Sequence, residues 1–400
     1  MICIIGGGAA GMMAAIQAAR CGKKVTLIEH NSYLGKKMGI TGKGRCNVTN
    51  DCEIEELFLN IPGNGKFLYS AIYSFSNYNV KEFFEELGVP LKVERGQRVF
   101  PVSDKARDIV DAMKNEIKRL GVEVMFDHAI EVCAENGKVC GVKCKKGFVK
   151  ADSVLIATGG KSYPQTGSTG DGYRMAQNLG HTVTEIKPSL IPLVASEVKS
   201  LMGLSLKNVS VTVLDEKGKK LYTDLGEMIF THYGMSGPII LSASGHMRKE
   251  GEYRILLDLK PALDNKTLDL RILRDFEKYQ NRDFVNSLDD LLPQKMIPFV
   301  IKKSGIDERK KVNAITKEER MKLARAIKEI EIKIEGFRPV SEAIVTAGGI
   351  SVKEIDPSTM ESKIVKGLYF AGEVIDVDAY TGGFNLQIAF STGCLAGINM

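Results

Sequence analysis

The 400-residue chain contains no long apolar segment. No run of apolar residues reaches the roughly 18 that a helix needs to cross a bilayer. The apolar start, residues 1–16, lacks the basic residues that open a signal peptide, and glycines interrupt it. We therefore expect a cytoplasmic protein with no membrane association.

The chain also lacks the patterns of a metal centre and of a disulfide framework. Its eight cysteines include no Cys-x-x-Cys pair, the spacing typical of zinc sites. Reduced intracellular thiols fit this distribution better than disulfides do. There is no Ser-His-Asp pattern either, so the sequence predicts neither a bound metal nor hydrolysis by such a triad.

What the chain does contain is a glycine-rich turn near its start. Residues 2–5 predict a buried strand, residues 9–21 a helix and residues 24–29 a second strand, which indicates a parallel sheet. The turn reads Gly-x-Gly-x-x-Gly, and its glycines permit a tight turn and close approach of a pyrophosphate. A carboxylate at the end of the second strand accepts ribose hydroxyls. The predicted dinucleotide contacts are Gly6, Gly8, Ala9, Ala10, Gly11 and Glu29.

The carboxyl-terminal residues distinguish FAD from NAD. Residues 367–374 predict a strand, and the glycines at 382 and 383 open a predicted helix over 385–398. Free N–H groups at a helix N-terminus stabilise the negative charge of a reduced flavin. A third motif, residues 157–160, lies at the end of the strand predicted over 153–157. The further predicted FAD contacts are His30, Lys37, Gly44, Arg45, Cys46, Ala129, Ile130, Thr158, Gly159, Gly160, Gly372, Glu373, Asp376, Gly383, Phe384, Asn385 and Leu386.

A second Gly-x-Gly-x-x-Gly fingerprint is missing. A transient hydride donor, NADH or NADPH, would therefore have to dock directly over the flavin, or electrons come from another source.

Residues 35–50 combine glycines at 39, 42 and 44 with four cations, and they follow the second strand. We expect Arg45 and Cys46 nearest the flavin. A thiol can protonate a carbon centre, and nearby cations would lower its pKa from about 8.5. Arg45 and Cys46 are therefore candidate catalytic residues, and the alternative for Cys46 is a buried structural thiol.

His232 is the third catalytic candidate. It lies in residues 230–238, on a turn that contains glycine and proline. A histidine in this setting suits acid–base chemistry or contact with a substrate carbonyl. A structural histidine is the alternative, and the other four histidines show no comparable setting.

The order of the predicted elements indicates an α/β fold with an insertion. Residues 1–188 and 337–400 would form a discontinuous Rossmann-like FAD-binding domain of the two-dinucleotide type. Residues 189–263 predict a β-barrel-like subdomain, and residues 264–336 a helical one.

The net charge of +6 is unevenly distributed. Residues 295–333 contain 12 Lys and Arg against 6 Asp and Glu. Since phosphate contacts dominate RNA affinity, this segment predicts a surface that contacts RNA. The alternative is an ordinary solvated helical surface.

With these residues assembled, the chain resembles the BaiN/RdsA-like family of FAD-dependent oxidoreductases from end to end. The resemblance is carried by residues 4–11, 41–50, 157–173, 230–238, 345–350, 359–363 and 367–393. It implies reduction of a conjugated C=C bond, either in a uracil of 23S ribosomal RNA or in a steroid enone of the bile-acid type. Family members more often show Ser-Gly-Gly-Gly before Arg-Cys-Asn. Here Thr41 and Lys43 depart from that pattern, which leaves substrate selectivity open.

The sequence thus predicts an FAD-dependent oxidoreductase, driven by NADH or NADPH, that reduces a conjugated C=C bond. The basic 295–333 segment tilts the substrate toward rRNA uracil. Two alternatives remain: an oxidase that uses O2 on a small amine or ketone, and an FAD-stabilised rRNA-binding protein without catalysis. The oligomeric state is left open.

Overall fold

A computed structural model describes residues 1–400. Its strands are β1 (Ile2–Ile5), β2 (Val25–Glu29), β3 (Thr49–Asn50), β4 (Leu91–Glu94), β5 (Arg98–Pro101), β6 (Glu123–Phe126), β7 (Ala129–Glu135), β8 (Lys138–Cys144), β9 (Gly147–Lys150), β10 (Ser153–Ile156), β11 (Lys187–Ser189), β12 (Leu193–Val194), β13 (Ser205–Leu214), β14 (Lys220–Phe230), β15 (Gly234–Ser236), β16 (Tyr253–Asp258), β17 (Ile330–Ile334), β18 (Gly336–Phe337), β19 (Val345–Ala347) and β20 (Leu368–Phe370). Its α-helices are α1 (Ala9–Arg20), α2 (Lys36–Gly44), α3 (Ile54–Leu59), α4 (Tyr69–Ser74), α5 (Asn77–Glu86), α6 (Ala106–Arg119), α7 (Asp171–Asn178), α8 (Pro238–Ser244), α9 (Asn265–Lys278), α10 (Ile297–Ser304), α11 (Lys317–Lys328) and α12 (Phe384–Asn399).

The chain forms two units, each with a hydrophobic core of its own. The first unit joins Met1–Ser189 to Pro339–Met400, and the second is Leu190–Arg338.

The first unit is built on a five-stranded parallel sheet in the order β20-β10-β1-β2-β6. Strands β1 and β2 consist of residues that are all buried, which is typical of a parallel sheet covered on both faces. The parallel sheet expected from the strand–turn–helix opening is thereby confirmed. Three small sheets accompany it: β7-β8-β9, β3-β5-β4 and β11-β19.

Helix α12 packs closely along α1. A Cβ atom at Gly393 would overlap the carbonyl oxygen of Ala10, and one at Gly397 would overlap that of Ala14. Because both positions advance by four residues, the two helices run in the same direction. Because these two positions of α12 carry no side chain, the helix backbones can approach each other. The last helix of the chain thus supports the first.

The second unit contains a seven-stranded antiparallel sheet in the order β17-β16-β13-β14-β15-β12-β18. The end strands β17 and β18 are separated in the chain by Glu335 alone. The sheet therefore curls round on itself, which fits the β-barrel-like subdomain expected for residues 189–263. Helices α9, α10 and α11 pack into the same core.

One boundary was wrong, and one helix was not predicted. Residues 330–336 were assigned to the helical subdomain and residue 337 to the FAD-binding domain, but β17 and β18 pair with β16 and β12 of the seven-stranded sheet. The alternating sequence of β17 buries every second residue, which suits one face of a sheet. No helix was predicted over residues 36–44, where the structure has α2, which is kinked near its end.

Candidate functional site

The three glycines of the first turn have different surroundings. Gly6 has φ +105°, and a Cβ atom there would lie 2.5 Å from the carbonyl oxygen of Ala157. A Cβ atom at Gly11 would overlap the backbone of Gly6, whereas one at Gly8 would have no protein atom within 4 Å. Gly6 and Gly11 therefore allow tight packing. Gly8 faces the open space that a pyrophosphate would need.

The turn leads into an N-terminus of α1 that has no capping side chain and no acidic residue in its first turn. Backbone N–H groups at such an end favour an anionic ligand, and the helix dipole adds to the effect. Ala9 and Ala10 are the first residues of the helix. The predicted pyrophosphate site thus has the chemistry that the ligand requires.

Glu29 is buried at the end of β2. Its Oε2 accepts a hydrogen bond of 2.8 Å from the N–H of Gly7, and its Oε1 accepts 2.7 Å bonds from the N–H and Nδ2 of Asn31. These bonds fix the carboxylate beside the glycine turn. Oε2, which accepts one bond, has a further lone pair that a ribose hydroxyl can use.

Other predicted contacts line the same edge of the sheet. The N–H of Asp127 donates to the carbonyl of Glu29 (3.0 Å), so the chain passes beside the end of β2 just before β7 begins at Ala129. Ile130 falls where the register of β7 and β8 shifts. The His30 ring meets the His128 ring edge-on, with centroids 5.7 Å apart.

Two buried hydroxyls beyond β10 have no hydrogen-bond partner, Thr158 Oγ1 and Tyr173 OH. Burial, and then the charges of Glu373 and Asp376, raise the pKa of Tyr173, so its phenol stays neutral. Buried polar groups normally have partners. The orphaned hydroxyls, together with the space at Gly8, fit a bound molecule as rich in polar atoms as FAD.

Glu373, Lys37 and Ser162 form a tight cluster. Lys37 Nζ lies 2.7 Å from both Glu373 Oε2 and Ser162 Oγ. Glu373 Oε1 accepts bonds from Ser162 Oγ (2.9 Å) and from the N–H of Thr346 (2.8 Å). Burial alone would raise the pKa of Glu373, but Lys37 and these hydrogen bonds outweigh it, and the pKa is lowered. The sequence assigned Lys37 and Glu373 to FAD; the structure pairs them with each other, and their contact with FAD stays a prediction.

Small residues allow this cluster to form. A Cβ atom at Gly160 would overlap Thr346 Oγ1, and one at Gly159 would lie 2.9 Å from Ser168 Oγ. Gly372, with φ +75°, brings the chain against Ala10 at the start of α1. The three motifs read from the sequence therefore converge on one end of the parallel sheet.

The N-terminus of α12 meets residues 47–50. A Cβ atom at Gly383 would overlap the backbone of Thr49, and Asn50 Nδ2 donates to the carbonyl of Gly382 (3.0 Å). Helix α12 has no side-chain cap and no acidic residue in its first turn. The predicted flavin end of the site is thus built from two segments far apart in the chain.

The remaining carboxyl-terminal residues shape the approach to α12. The Asn385 amide bonds the N–H and carbonyl of Ala379 (2.9 and 2.8 Å). Phe384 is buried, and Leu386 packs against the core. The carbonyl of Asp376 accepts a 2.7 Å bond from Asn64 Nδ2.

Arg45 is paired with two acidic side chains. Its guanidinium bonds Glu94 (3.2 Å from Nη1) and Asp104 (2.8 Å from Nε) and lies over the Phe100 ring at 4.2 Å. The hydrogen bonds to Glu94 and Asp104 raise the pKa of Arg45. Its catalytic role stays a prediction, and its contacts describe an anchor for the segment that carries it.

The expected activation of Cys46 by nearby cations is wrong. Cys46 is completely buried, and this burial raises the pKa of its thiol to about 12, against a smaller lowering by a hydrogen bond with Thr41. The nearest cation in the chain, Arg45, is paired elsewhere. Cys46 is therefore a neutral thiol at pH 7, and proton donation by it stays a prediction. The neighbouring Asn47 Oδ1 is buried without a partner.

His232 belongs to the second unit, whereas Arg45 and Cys46 belong to the first. It is exposed, and its ring lies edge-on to Tyr233 with centroids 4.8 Å apart. The turn is closed by a 2.8 Å bond from the N–H of Thr231 to the carbonyl of Gly234. Its catalytic role stays a prediction.

The structure draws attention to a histidine that the sequence set aside. The His246 ring, just beyond α8, stacks on Tyr222 at 4.2 Å and 24°. Burial, and then the charge of Arg248, lower the pKa of His246 to about 4, so the ring is neutral at pH 7. No local sequence signal separates it from the other histidines, because the stacking joins residues of different elements.

Most cations of the 295–333 segment are neutralised. Eight of its 12 Lys and Arg form ion pairs: Lys303–Glu197, Lys310–Glu319, Lys311–Asp283, Arg320–Asp269, Lys322–Glu318, Arg325–Glu329, Lys328–Asp258 and Lys333–Glu252. Several of the acids lie outside the segment, where a count restricted to it misses them. The surface is less basic than its composition indicated.

The structure has no helix suited to spanning a membrane and no cluster of metal-ligating side chains. None of its helices has both the length and the apolar character that crossing a membrane requires. No three His, Cys, Asp or Glu side chains are grouped so as to hold a metal ion.

The fold and the site can be compared with known proteins. The family model described as the HI0933-like protein Rossmann domain matches residues 1–399. The chain belongs to this family. It is an FAD-dependent oxidoreductase, and the resemblance noted from its motifs is confirmed.

Two relatives match over nearly their whole length. The chain is 31% identical over 400 residues to the 3-dehydro-bile acid delta(4,6)-reductase of Clostridium scindens, covering 98% of this chain and 97% of the relative. It is 32% identical over 394 residues to the ribosomal RNA dihydrouridine synthase of Haemophilus influenzae, covering 97% and 95%. Among solved structures, the 3-ketosteroid-delta4-(5alpha)-dehydrogenase of Rhodococcus jostii aligns over 100% of this chain and 96% of its own, at 16% identity and a TM-score of 0.52. This last likeness concerns the fold alone.

Proposed function

We propose that the protein reduces a C=C bond conjugated to a carbonyl group. The observation that carries this proposal is the end-to-end relationship to two enzymes named for the same net change. A bile-acid delta(4,6)-reductase and a dihydrouridine synthase both add two hydrogens across a C=C bond. The shared reaction, and not either substrate, is what this chain inherits most directly.

The residues of the first unit fit the cofactor that this reaction needs. Gly8 and the first turn of α1 would hold the pyrophosphate, Glu29 the ribose and the first turn of α12 the flavin ring. When bound and reduced, FAD supplies the hydride for the β-carbon of such a substrate. Cys46 keeps its proton at pH 7 and is our candidate for protonating the α-carbon.

We also propose that NADH or NADPH reduces the flavin by docking directly over it. The chain has one Gly-x-Gly-x-x-Gly fingerprint, and the first unit uses it at the start of α1. A second dinucleotide would then have no comparable resident site.

For the acceptor, we place a small conjugated ketone ahead of rRNA uracil. The preference for RNA rested on the charge of residues 295–333, and eight of the 12 cations there are paired with acids. The relationship to a ribosomal RNA dihydrouridine synthase keeps uracil as the second candidate.

An anaerobic two-stage experiment tests the proposal. NADPH or NADH is first added to the FAD-loaded protein, and we expect the flavin absorbance to bleach. A 3-oxo-Δ4 steroid or a 23S rRNA fragment is then added. Reoxidation of the flavin, with a product two hydrogens heavier, supports the proposal and identifies the acceptor.

The opposite outcomes are equally specific. If neither acceptor reoxidises the flavin, whereas an amine or ketone substrate reduces it and O2 then reoxidises it with release of hydrogen peroxide, the protein is an oxidase. If dithionite-reduced protein transfers hydrogen but neither nicotinamide bleaches the flavin, the reductase proposal stands and the electron donor is a different one. Missing dihydrouridine in 23S rRNA from a strain without this protein would reverse the order of the two acceptors.

A further inference from the structure

Helix α2 ends in a turn whose backbone is left-handed, a conformation that most residues avoid. Gly42, Lys43 and Gly44 have φ angles of +58°, +59° and +83°. The N–H of Arg45 bonds the carbonyl of Gly42 (3.3 Å), and the N–H of Cys46 bonds that of Thr41 (3.0 Å). Three successive left-handed residues make a turn that only glycine adopts without strain.

Lys43 is the member of this turn that carries a side chain. Its φ angle of +59° is one that glycine adopts without strain and lysine does not. Burial of the Lys43 side chain does not offset this strain, because Lys43 is exposed. Strain at an exposed residue points to a use for the side chain.

The turn cannot relax easily, because its far end is anchored. Arg45 is held by Glu94, Asp104 and the Phe100 ring, and Cys46 is buried at φ +61°. The segment that carries Lys43 is therefore fixed to the protein through Arg45 and Cys46.

Lys43 also differs from the other cations of its segment in having no bound partner. Lys36 donates to Asn31 Oδ1 (3.1 Å), Lys37 to Glu373 and Ser162, and Arg45 to two acids. Lys43 makes no hydrogen bond or ion pair within the protein. Its positive charge is available to a ligand.

The same segment reaches the flavin end of the site. Residues 47–50 follow directly and meet the start of α12 through Asn50 and Gly382. A charge held a few residues before this junction is suited to a group on the acceptor that projects away from the reacting bond.

We propose that Lys43 is a specificity residue that binds an oxyanion of the acceptor, namely a carboxylate on a small conjugated ketone. This inference rests on the proposed function. A lysine offers a compact charge on a flexible stem, which suits a carboxylate at variable distance from the ring system. Lys43 acts on binding and takes no part in hydrogen transfer.

The test compares an acidic acceptor with its neutral form. The acceptors are a 3-oxo-Δ4 steroid with a side-chain carboxylate and the methyl ester of the same steroid. Lys43→Gln removes the charge, and Lys43→Gly removes charge and strain together. We expect both variants to raise KM for the acid about fivefold, the upper range for an exposed ion pair, with kcat and the KM for the ester unchanged. Lys43→Arg should restore most of the affinity for the acid.

Lys66→Gln is the matched control, because Lys66 is exposed and likewise makes no hydrogen bond or ion pair. It should leave both KM values unchanged. Equal KM values for acid and ester in wild type and Lys43→Gln overturn the inference. If Lys43→Gln weakens only a 23S rRNA fragment and not the steroid acid, the oxyanion is a phosphate and the carboxylate assignment is wrong.

A binding measurement separates this inference from the proposed function. The flavin spectrum of the oxidised holoprotein is titrated with the acid and with the ester, without turnover. Weaker binding of the acid alone in Lys43→Gln supports the inference even if neither steroid is reduced. Identical titrations refute it even if both steroids are reduced.

Discussion

At the scale of single residues, the first turn shows how space distinguishes glycines that look alike in sequence. Gly6 and Gly11 are required by neighbouring backbone atoms of the protein. Gly8 has ordinary dihedral angles, φ −83° and ψ −167°, and no protein atom near the position of its missing side chain. The requirement for glycine at position 8 must then come from the ligand.

Gly8→Ala should therefore separate folding from cofactor binding. We expect the thermal midpoint of the FAD-free protein to change little, because the added methyl group meets no protein atom. The affinity for FAD should fall by tenfold or more, since the methyl group occupies the space of the pyrophosphate. Calorimetry of the apoprotein and titration with FAD measure the two effects. A variant that binds FAD as wild type does would show that the pyrophosphate lies elsewhere.

Burial at Cys46 leads to a prediction about reactivity. The pKa of its thiol rises to about 12 from a reference value of 9.0, so folding favours the protonated form. The resulting stability is complete below about pH 9 and is lost as the pH rises towards 12. At pH 7.5, iodoacetamide should label Cys46 far more slowly than the exposed Cys21, as followed by peptide mass spectrometry. Labelling of both at one rate would contradict the burial of Cys46.

At the scale of single residues, the sequence predicted where the site residues lie better than it predicted their protonation states. Gly6, Gly11 and Glu29 lie where the fingerprint predicted, because the spacing of a strand, turn and helix is local. The pKa of Cys46 could not be predicted, since the pairing of Arg45 with Glu94 and Asp104 joins distant parts of the chain.

At the scale of elements, α1 and α12 carry the two helix ends assigned to FAD, and they support each other through close backbone contact. The glycines that permit it, Gly393 and Gly397, are spaced by four residues and lie on one face of α12. Both helices were predicted from the sequence, but this contact was not, because glycine inside a helix gives no indication of its neighbour.

Gly393→Ala should destabilise the protein even though alanine is the better helix former. The new methyl group would overlap the carbonyl oxygen of Ala10, and overpacking of this kind costs about 1–3 kcal/mol. Gly39→Ala in α2 is the matched control, because a Cβ atom there has no protein atom within 4 Å. That control should be neutral or stabilise by about 0.5–1 kcal/mol. Urea unfolding measures both, and equal midpoints for the two variants would exclude the tight contact between α1 and α12.

The elements also show where periodicity misleads. Helix α2 was not predicted, because glycine is a poor helix former, and its last glycines do form the left-handed turn at its end. Helix α8 was missed because it is short and lies between strands of a barrel. Strand β17 follows a helical region directly, and only its pairing with β16 reveals it as part of the barrel.

At the scale of the whole molecule, charge depends on which side chains fold together. Residues 295–333 have a surplus of six positive charges in sequence, but acids from β16, α9 and other parts of the second unit neutralise many of them. Counting within the segment cannot detect this, because five of the eight partner acids lie outside it. The parallel sheet and the barrel were predictable from patterns that repeat locally, whereas the surface potential was not.

The neutralisation of most cations in residues 295–333 predicts how strongly RNA binding depends on salt concentration. Of the four cations in the segment that form no ion pair, Lys295 donates to the carbonyl of Met202, and the side chains of Lys302, Arg309 and Lys317 make no hydrogen bond or ion pair. About three phosphates would therefore be neutralised there. Binding of a 23S rRNA fragment should then weaken with log salt concentration at a slope no steeper than about 3. Replacing all three cations by glutamine should remove most of that slope, whereas the same change at Lys217, Lys219 and Lys220 serves as the control for net charge. Fluorescence anisotropy at several KCl concentrations gives the slopes. A slope near 10, reduced by the triple variant of Lys302, Arg309 and Lys317 but not by the control, would mean that the ion pairs of the segment open when RNA binds. Ribosomal RNA would then be favoured over the small ketone as the substrate.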